Sequence, residues 1–129
     1  MSERPVCYCG RNGVLRRSRY GRFWSCPDRS CEGLVGCHPG TSIPTGTMAD
    51  KATRQARKRA HDAFDRLWRK APQPKLYRMA AYAWLSDQMG VDDAHISQMT
   101  KEEAERIPGL CRNVYWGHLT GYVPEESRP

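Results

Sequence analysis

The sequence predicts an α+β chain: a small N-terminal module of short antiparallel strands, followed by a small all-helical domain. Three observations point that way. Five of the six cysteines lie between Val6 and His38, in "VCYCGRNGVLRRSRYGRFWSCPDRSCEGLVGCH". The residues between the first and second cysteine pairs, "GVLRRSRYGRFWS", partly alternate and are aromatic, the pattern of two strands around a turn. From about residue 47 onward the apolar residues change to helical spacing. The boundaries read as 1–46 for the ribbon and its loop, 47–123 for the helical domain and 124–129 for a flexible polar tail.

The N-terminal module is the most informative stretch. Cys7 and Cys9 flank Tyr8 and precede Gly10, so they sit on a tight turn. Cys26 and Cys31 bracket the turn formers Pro27, Asp28 and Ser30. Two such knuckles can supply the four sulfur ligands of a tetrahedral zinc ion. In a reducing compartment, clustered thiols hold metal rather than form disulfides. The expectation is a zinc ribbon with one structural Zn2+ on Cys7, Cys9, Cys26 and Cys31. Cys37 and His38 are adjacent and compete for the fourth position. Cys111 is isolated and reads as a core thiol.

"PGTSIPTGT" from Pro39 to Thr47 holds too many breakers for helix or strand. Next, "MADKATRQARKRAHDAFDRLWRK" is a helix capped by Thr47 or Asp50, with Ala52, Ala56, Ala60, Phe64, Leu67 and Trp68 on one stripe. Pro72 and Pro74 end it. "KLYRMAAYAWLSDQMG" places Leu76, Met79, Ala80, Ala83, Trp84 and Met89 on one face, with Gly90 as the C-terminal cap. Trp68, Tyr82, Trp84 and Leu85 are expected to pack the helices together. "TKEEAERI" opens with a capping box of Thr100 and Glu103. Pro108 is expected to start a further short helix or turn carrying Leu110, Val114 and Trp116.

The charge narrows the partner. Twenty-one Lys and Arg against 14 Asp and Glu give a net charge of +7. A basic surface favours polyanions, nucleic acid first. Arg11, Arg16, Arg17, Arg19 and Arg22 interleave with Tyr20, Phe23 and Trp24, combining cations for phosphates with flat rings for bases. Alternation puts Phe23 and Trp24 on opposite faces of a strand. Arg54, Arg57 and Lys58 form a second candidate patch on the first helix.

The N-terminus lacks the apolar core of a secretory signal, and no apolar run reaches the length of a membrane span. The expectation is a cytoplasmic protein without a membrane partner. No phosphate loop, G-x-S-x-G or H-E-x-x-H occurs. His61 and Asp65 share a helical face, and His95 follows two carboxylates, but neither group completes a catalytic set. The chain is expected not to be an enzyme.

"CYCG…YGRFWSCPDRSC" resembles a GRF-type zinc finger: a C-x-C-G opening, the Gly21-Arg22-Phe23 triplet, an aromatic and a cysteine pair. The resemblance implies zinc on Cys7, Cys9, Cys26 and Cys31, a curved three-stranded ribbon and single-stranded nucleic-acid binding. Those fingers usually close with an aromatic-rich strand, where this chain has "EGLVGCHPGT". A wider stretch, roughly residues 7–112 and including "RKRAHDAFDRLW" and "AYAWLSDQMGVDDAHISQMT", is similar to zinc-finger-containing proteins found mainly in phages and prophages. That likeness implies an architecture and a phage setting. The expected function is binding of single-stranded or distorted DNA. The alternatives are a protein–protein adaptor or inhibitor acting on a host or phage replication, repair or transcription protein, and a nuclease accessory subunit.

Overall fold

In the computed structural model, residues 4–128 are described; Met1–Glu3 and Pro129, the outer ends of the expected ribbon module and tail, lie outside them. The chain forms two compact units that divide between Gln55 and Ala56.

The first unit is built on an antiparallel sheet of β1 (Val14–Ser18), β2 (Gly21–Ser25) and β3 (Leu34–Gly36), in that order. A two-residue loop, Arg19-Tyr20, joins β1 to β2. It closes because Ser18 Oγ accepts from the Tyr20 amide and donates to the Gly21 carbonyl. Gly21 follows at φ 122°, a conformation that side chains resist. Directly paired residues share a face, so Leu15, Trp24 and Val35 line one side of the sheet, and Arg16, Phe23 and Gly36 the other. The first side carries the core: Trp24 and Val35 are buried with Cys7, Cys26 and Met48. Leu34 and Ala49 exchange two backbone hydrogen bonds and tie the following loop back to the sheet.

Helix α1 (Lys51–Asp65) starts at Asp50, whose Oδ1 accepts from the Thr53 amide at 2.9 Å. Of the two expected caps, Asp50 is the one that bonds this amide. The helix stops at Asp65 and continues as turns rather than running on to Lys70. Asp65 takes part in that ending by accepting from Trp68 Nε1 at 3.2 Å. Its buried stripe is Ala56, Ala60, Ala63 and Phe64. Ala52, expected on the stripe, is exposed, because the apolar cluster to which the stripe belongs begins only at Ala56.

The second unit adds α2 (Pro74–Met89) and α3 (Lys101–Cys111), with 3-10 turns at Ile96–Gln98, Trp116–Tyr122 and Glu125–Ser127. Helix α2 ends at Gly90, with φ 69°, as expected. Its inward face differs from the sequence reading by about one residue. Tyr77, Ala80, Ala81, Trp84 and Leu85 are buried, whereas Ala83 is exposed and Met79 is 70% exposed. The 116–122 segment decides this rotation. It covers α2, and Tyr77 meets it with a hydroxyl bond to Thr120 Oγ1 at 3.1 Å and an edge contact with Trp116. Leu76, Met89, Trp68 and Tyr82 pack half-buried at the core margin, and Trp84 and Leu85 lie within it.

The capping box of α3 is present: Glu103 N–H donates to Thr100 Oγ1, and Glu103 Oε1 accepts from the Thr100 amide. Thr100→Ala should cost the helical unit about 1 kcal/mol in urea denaturation. A change indistinguishable from zero would show that the box adds nothing to stability. Pro108 does not open a new helix; it lies inside α3. The helix continues past it because Ile107 and Cys111, one turn apart, both enter the core. The tail expected to be flexible makes a turn at Glu125–Ser127, and Arg128 Nε donates to the Val123 carbonyl. Among the described residues no helix is long and apolar enough to cross a membrane.

Candidate metal centre

Each cysteine of the cluster is placed by a short piece of backbone. Cys7–Gly10 form a turn closed by the Gly10 amide on the Cys7 carbonyl at 2.8 Å, with Gly10 at φ 96°. Cys26 lies just past the end of β2. Cys31 is reached through a turn in which Asp28 Oδ1 accepts from the Ser30 amide and hydroxyl, and the Cys31 amide donates to the Asp28 carbonyl. Those Ser30 bonds, with Arg11 nearby, hold the Asp28 carboxyl below its usual range.

The four sulfurs converge. Cys7 and Cys31 Sγ are 3.6 Å apart, as are Cys9 and Cys26 Sγ, and all four lie within 4.8 Å of one another. A disulfide needs about 2.05 Å, so these are separate thiols. Zn–S bonds of about 2.3 Å at tetrahedral angles place sulfurs about 3.8 Å apart, close to what is seen. Cys37 and His38 are outside the cluster. The choice left open by the sequence thus falls to Cys31.

The electrostatics fit a cation. Burial pushes the Cys7 thiol up to about 12, and burial raises Cys26 as well. A buried thiolate pair is costly unless a positive ion sits among the sulfurs. Backbone N–H groups two residues on act in the opposite sense: Cys9 toward Cys7, Arg11 toward Cys9 and Asp28 toward Cys26. Cys9, the exposed ligand, is drawn down to about 6, chiefly by the Arg11 amide and further by its guanidinium.

Two neighbours escaped the sequence reading. Cys31 acts on the nearby Tyr8 hydroxyl, and is the main reason the Tyr8 pKa is raised to about 12. Gly33 leaves space for Cys7: a Cβ there would stand 2.0 Å from the Cys7 sulfur. The position of Tyr8 between two ligands was a usable signal; nothing local marked Gly33. If the Tyr8 hydroxyl supports Cys31 from outside the ligand set, Tyr8→Phe should weaken zinc binding on the order of 10-fold. A competition titration with a chromogenic chelator checks this, and an unchanged affinity would remove Tyr8 from the site.

Several residues expected at a nucleic-acid surface also make contacts within the chain. Arg11 Nη1 donates to Cys9 Sγ at 3.7 Å and pairs with Asp28 at 3.4 Å. Trp24 is buried, and its Nε1 donates to the Ser42 carbonyl at 2.8 Å, leaving the indole little surface for a base. Arg54 donates to the Ala49 and Glu32 carbonyls, and Arg57 to the Met99 carbonyl. These bonds divide the expected helix patch, leaving Lys58 exposed. Arg16, Arg17, Arg19 and Tyr20 are exposed, and Arg22 and Phe23 half-buried. His61 Nδ1 lies 3.1 Å from the Arg57 carbonyl, and His95 pairs with Asp93 on the surface.

Four cysteine sulfurs from two knuckles fill a tetrahedral set and leave no position for substrate, which defines a domain built around one structural zinc ion. A family model described as a zinc-finger-containing domain matches residues 3–114, and the chain belongs to that family. No curated protein and no solved structure matches it.

Proposed function

We propose that the β1–β2 hairpin is a nucleic-acid-binding surface, with single-stranded or distorted DNA as its preferred partner. One observation carries the reading. Arg16, Arg17, Arg19 and Arg22 stand on a single hairpin with the exposed ring of Tyr20 (87%), and no carboxylate occurs from Arg11 to Pro27. Among the described residues, none of the four arginines is in an ion pair. A cationic ribbon with flat rings suits a strand whose bases are free to stack. Phe23 adds a second ring: it lies across from Arg16 and Gly36, and the missing side chain at Gly36 leaves open space. The zinc ion is structural here, holding the hairpin in shape. On this proposal the protein is a non-enzymatic cytoplasmic protein of phage or prophage type; the GRF-like spacing of the ribbon supports single-strand binding, and the wider likeness over residues 7–112 supports the phage setting.

Fluorescence anisotropy with labelled single-stranded and duplex oligonucleotides tests it. Binding to the single strand should weaken steeply with salt. Replacing the four arginines by Gln should flatten the log–log salt slope by roughly 0.7 for each phosphate no longer neutralised. Tyr20→Ala should cost about 1–3 kcal/mol if a base stacks there. Zinc content serves as the folding control. Absence of binding at low salt would defeat the proposal and favour an adaptor acting on a replication, repair or transcription protein.

A further inference from the structure

The helical unit contains a second basic feature of its own. A cavity of about 360 Å³ opens between the end of α1 and the end of α3, a size in the range of small-molecule sites. Arg66 and Arg112 line it, and no carboxylate among the described residues does. Arg66 uses its Nε to donate to the Asp62 carbonyl, which fixes the stem of the side chain. Neither guanidinium is in an ion pair among the described residues. Arg66 also acts electrostatically on the Cys111 thiol in the cavity wall, opposing the burial that raises it.

The walls are of a different character. Pro108 is exposed and Val114 half-buried, while Leu67 and Cys111 are buried and present little surface. Asn113 takes the left-handed conformation, φ 63°, at the turn after α3. Its amide offers both a donor and an acceptor beside the apolar wall. Two forked cations favour a phosphate, which accepts paired N–H bonds. An apolar wall with one amide favours a flat heteroaromatic body with polar edges.

We propose that this cavity binds a mononucleotide, with the phosphate between Arg66 and Arg112 and the base against Pro108 and Val114. The proposal does not rest on the hairpin's function.

Amide NMR spectra of the zinc-loaded chain, titrated with adenosine 5′-monophosphate, adenosine or inorganic phosphate, test it. The nucleotide should shift the amides of Leu67, Arg112, Asn113 and Val114. Adenosine should leave them in place, and inorganic phosphate should bind on the order of 10-fold more weakly than the nucleotide. Arg66→Gln and Arg112→Gln should each weaken the nucleotide on the order of 10-fold, the usual scale for a lost charged hydrogen bond. Both side chains are exposed, and helical circular dichroism verifies that the variants fold. Nucleotide shifts confined to the β1–β2 hairpin, equal binding of phosphate and nucleotide, or indifference to both substitutions would each overturn the proposal.

Discussion

Gly33→Ala is expected to purify without its zinc ion. The added Cβ would stand 2.0 Å from the Cys7 sulfur and 3.5 Å from the Cys26 Cβ. Real atoms do not approach so closely, so something has to move. Cys7 is short and buried, and its amide is held by the Arg11 carbonyl at 2.7 Å. Its sulfur can escape the new methyl mainly by turning away from the other three ligands. A tetrahedral site that loses one of its four sulfurs loses its closed coordination. Gly33 does not require a left-handed backbone, so the effect isolates close approach from strain. Elemental analysis of the purified variant reads the result. One equivalent of zinc retained at wild-type affinity would show that the knuckle shifts to accommodate the methyl, and that the centre is not close-packed against Gly33.

The second large effect is expected from chelation of the wild-type protein. Removing zinc should unfold the ribbon while the helices remain. Of the five buried side chains that form the ribbon's core cluster, two are the ligands Cys7 and Cys26. The others are Trp24, Val35 and Met48, too few to organise a module of this size. Structural zinc contributes about 10–16 kcal/mol in small finger peptides, which is comparable with the whole stability of a domain. The helical unit has its own core around Phe64, Tyr77, Leu85, Ile96, Ile107 and Leu119, and none of these binds metal. After chelation, amide dispersion for β1 to β3 should collapse, and the Trp24 indole N–H, bonded to Ser42 at 2.8 Å, should lose its distinct resonance. Helical circular dichroism should largely persist. A ribbon that keeps its dispersion in demonstrably zinc-free protein would make the metal an accessory rather than the organiser of the fold.

The residues that could be read in advance share one property: their geometry is fixed within a few positions of chain. The C-x-C-G turn, the "CPDRSC" turn, the hairpin, the Thr100–Glu103 box and the Gly90 cap all depend on neighbours in sequence. The face of α2 does not. Tyr77 rather than Met79 points inward because the 116–122 segment, far along the chain, supplies Thr120 and Trp116 as partners. Pro108 likewise reads as a break, yet the burial of Ile107 and Cys111 outweighs it.

The sequence by itself determined the class of this protein: two knuckles of soft ligands around a basic, aromatic hairpin, followed by helices. The tertiary structure brought the expected Cys31, and not its rival Cys37, to the other three sulfurs; it alone decided that Arg11 serves a sulfur and Trp24 the core, and that Gly33 leaves room for Cys7. Ligand types and turns follow from chemistry carried by adjacent residues. Which distant groups meet follows from how the whole unit packs, and a spacing pattern contains no such distances.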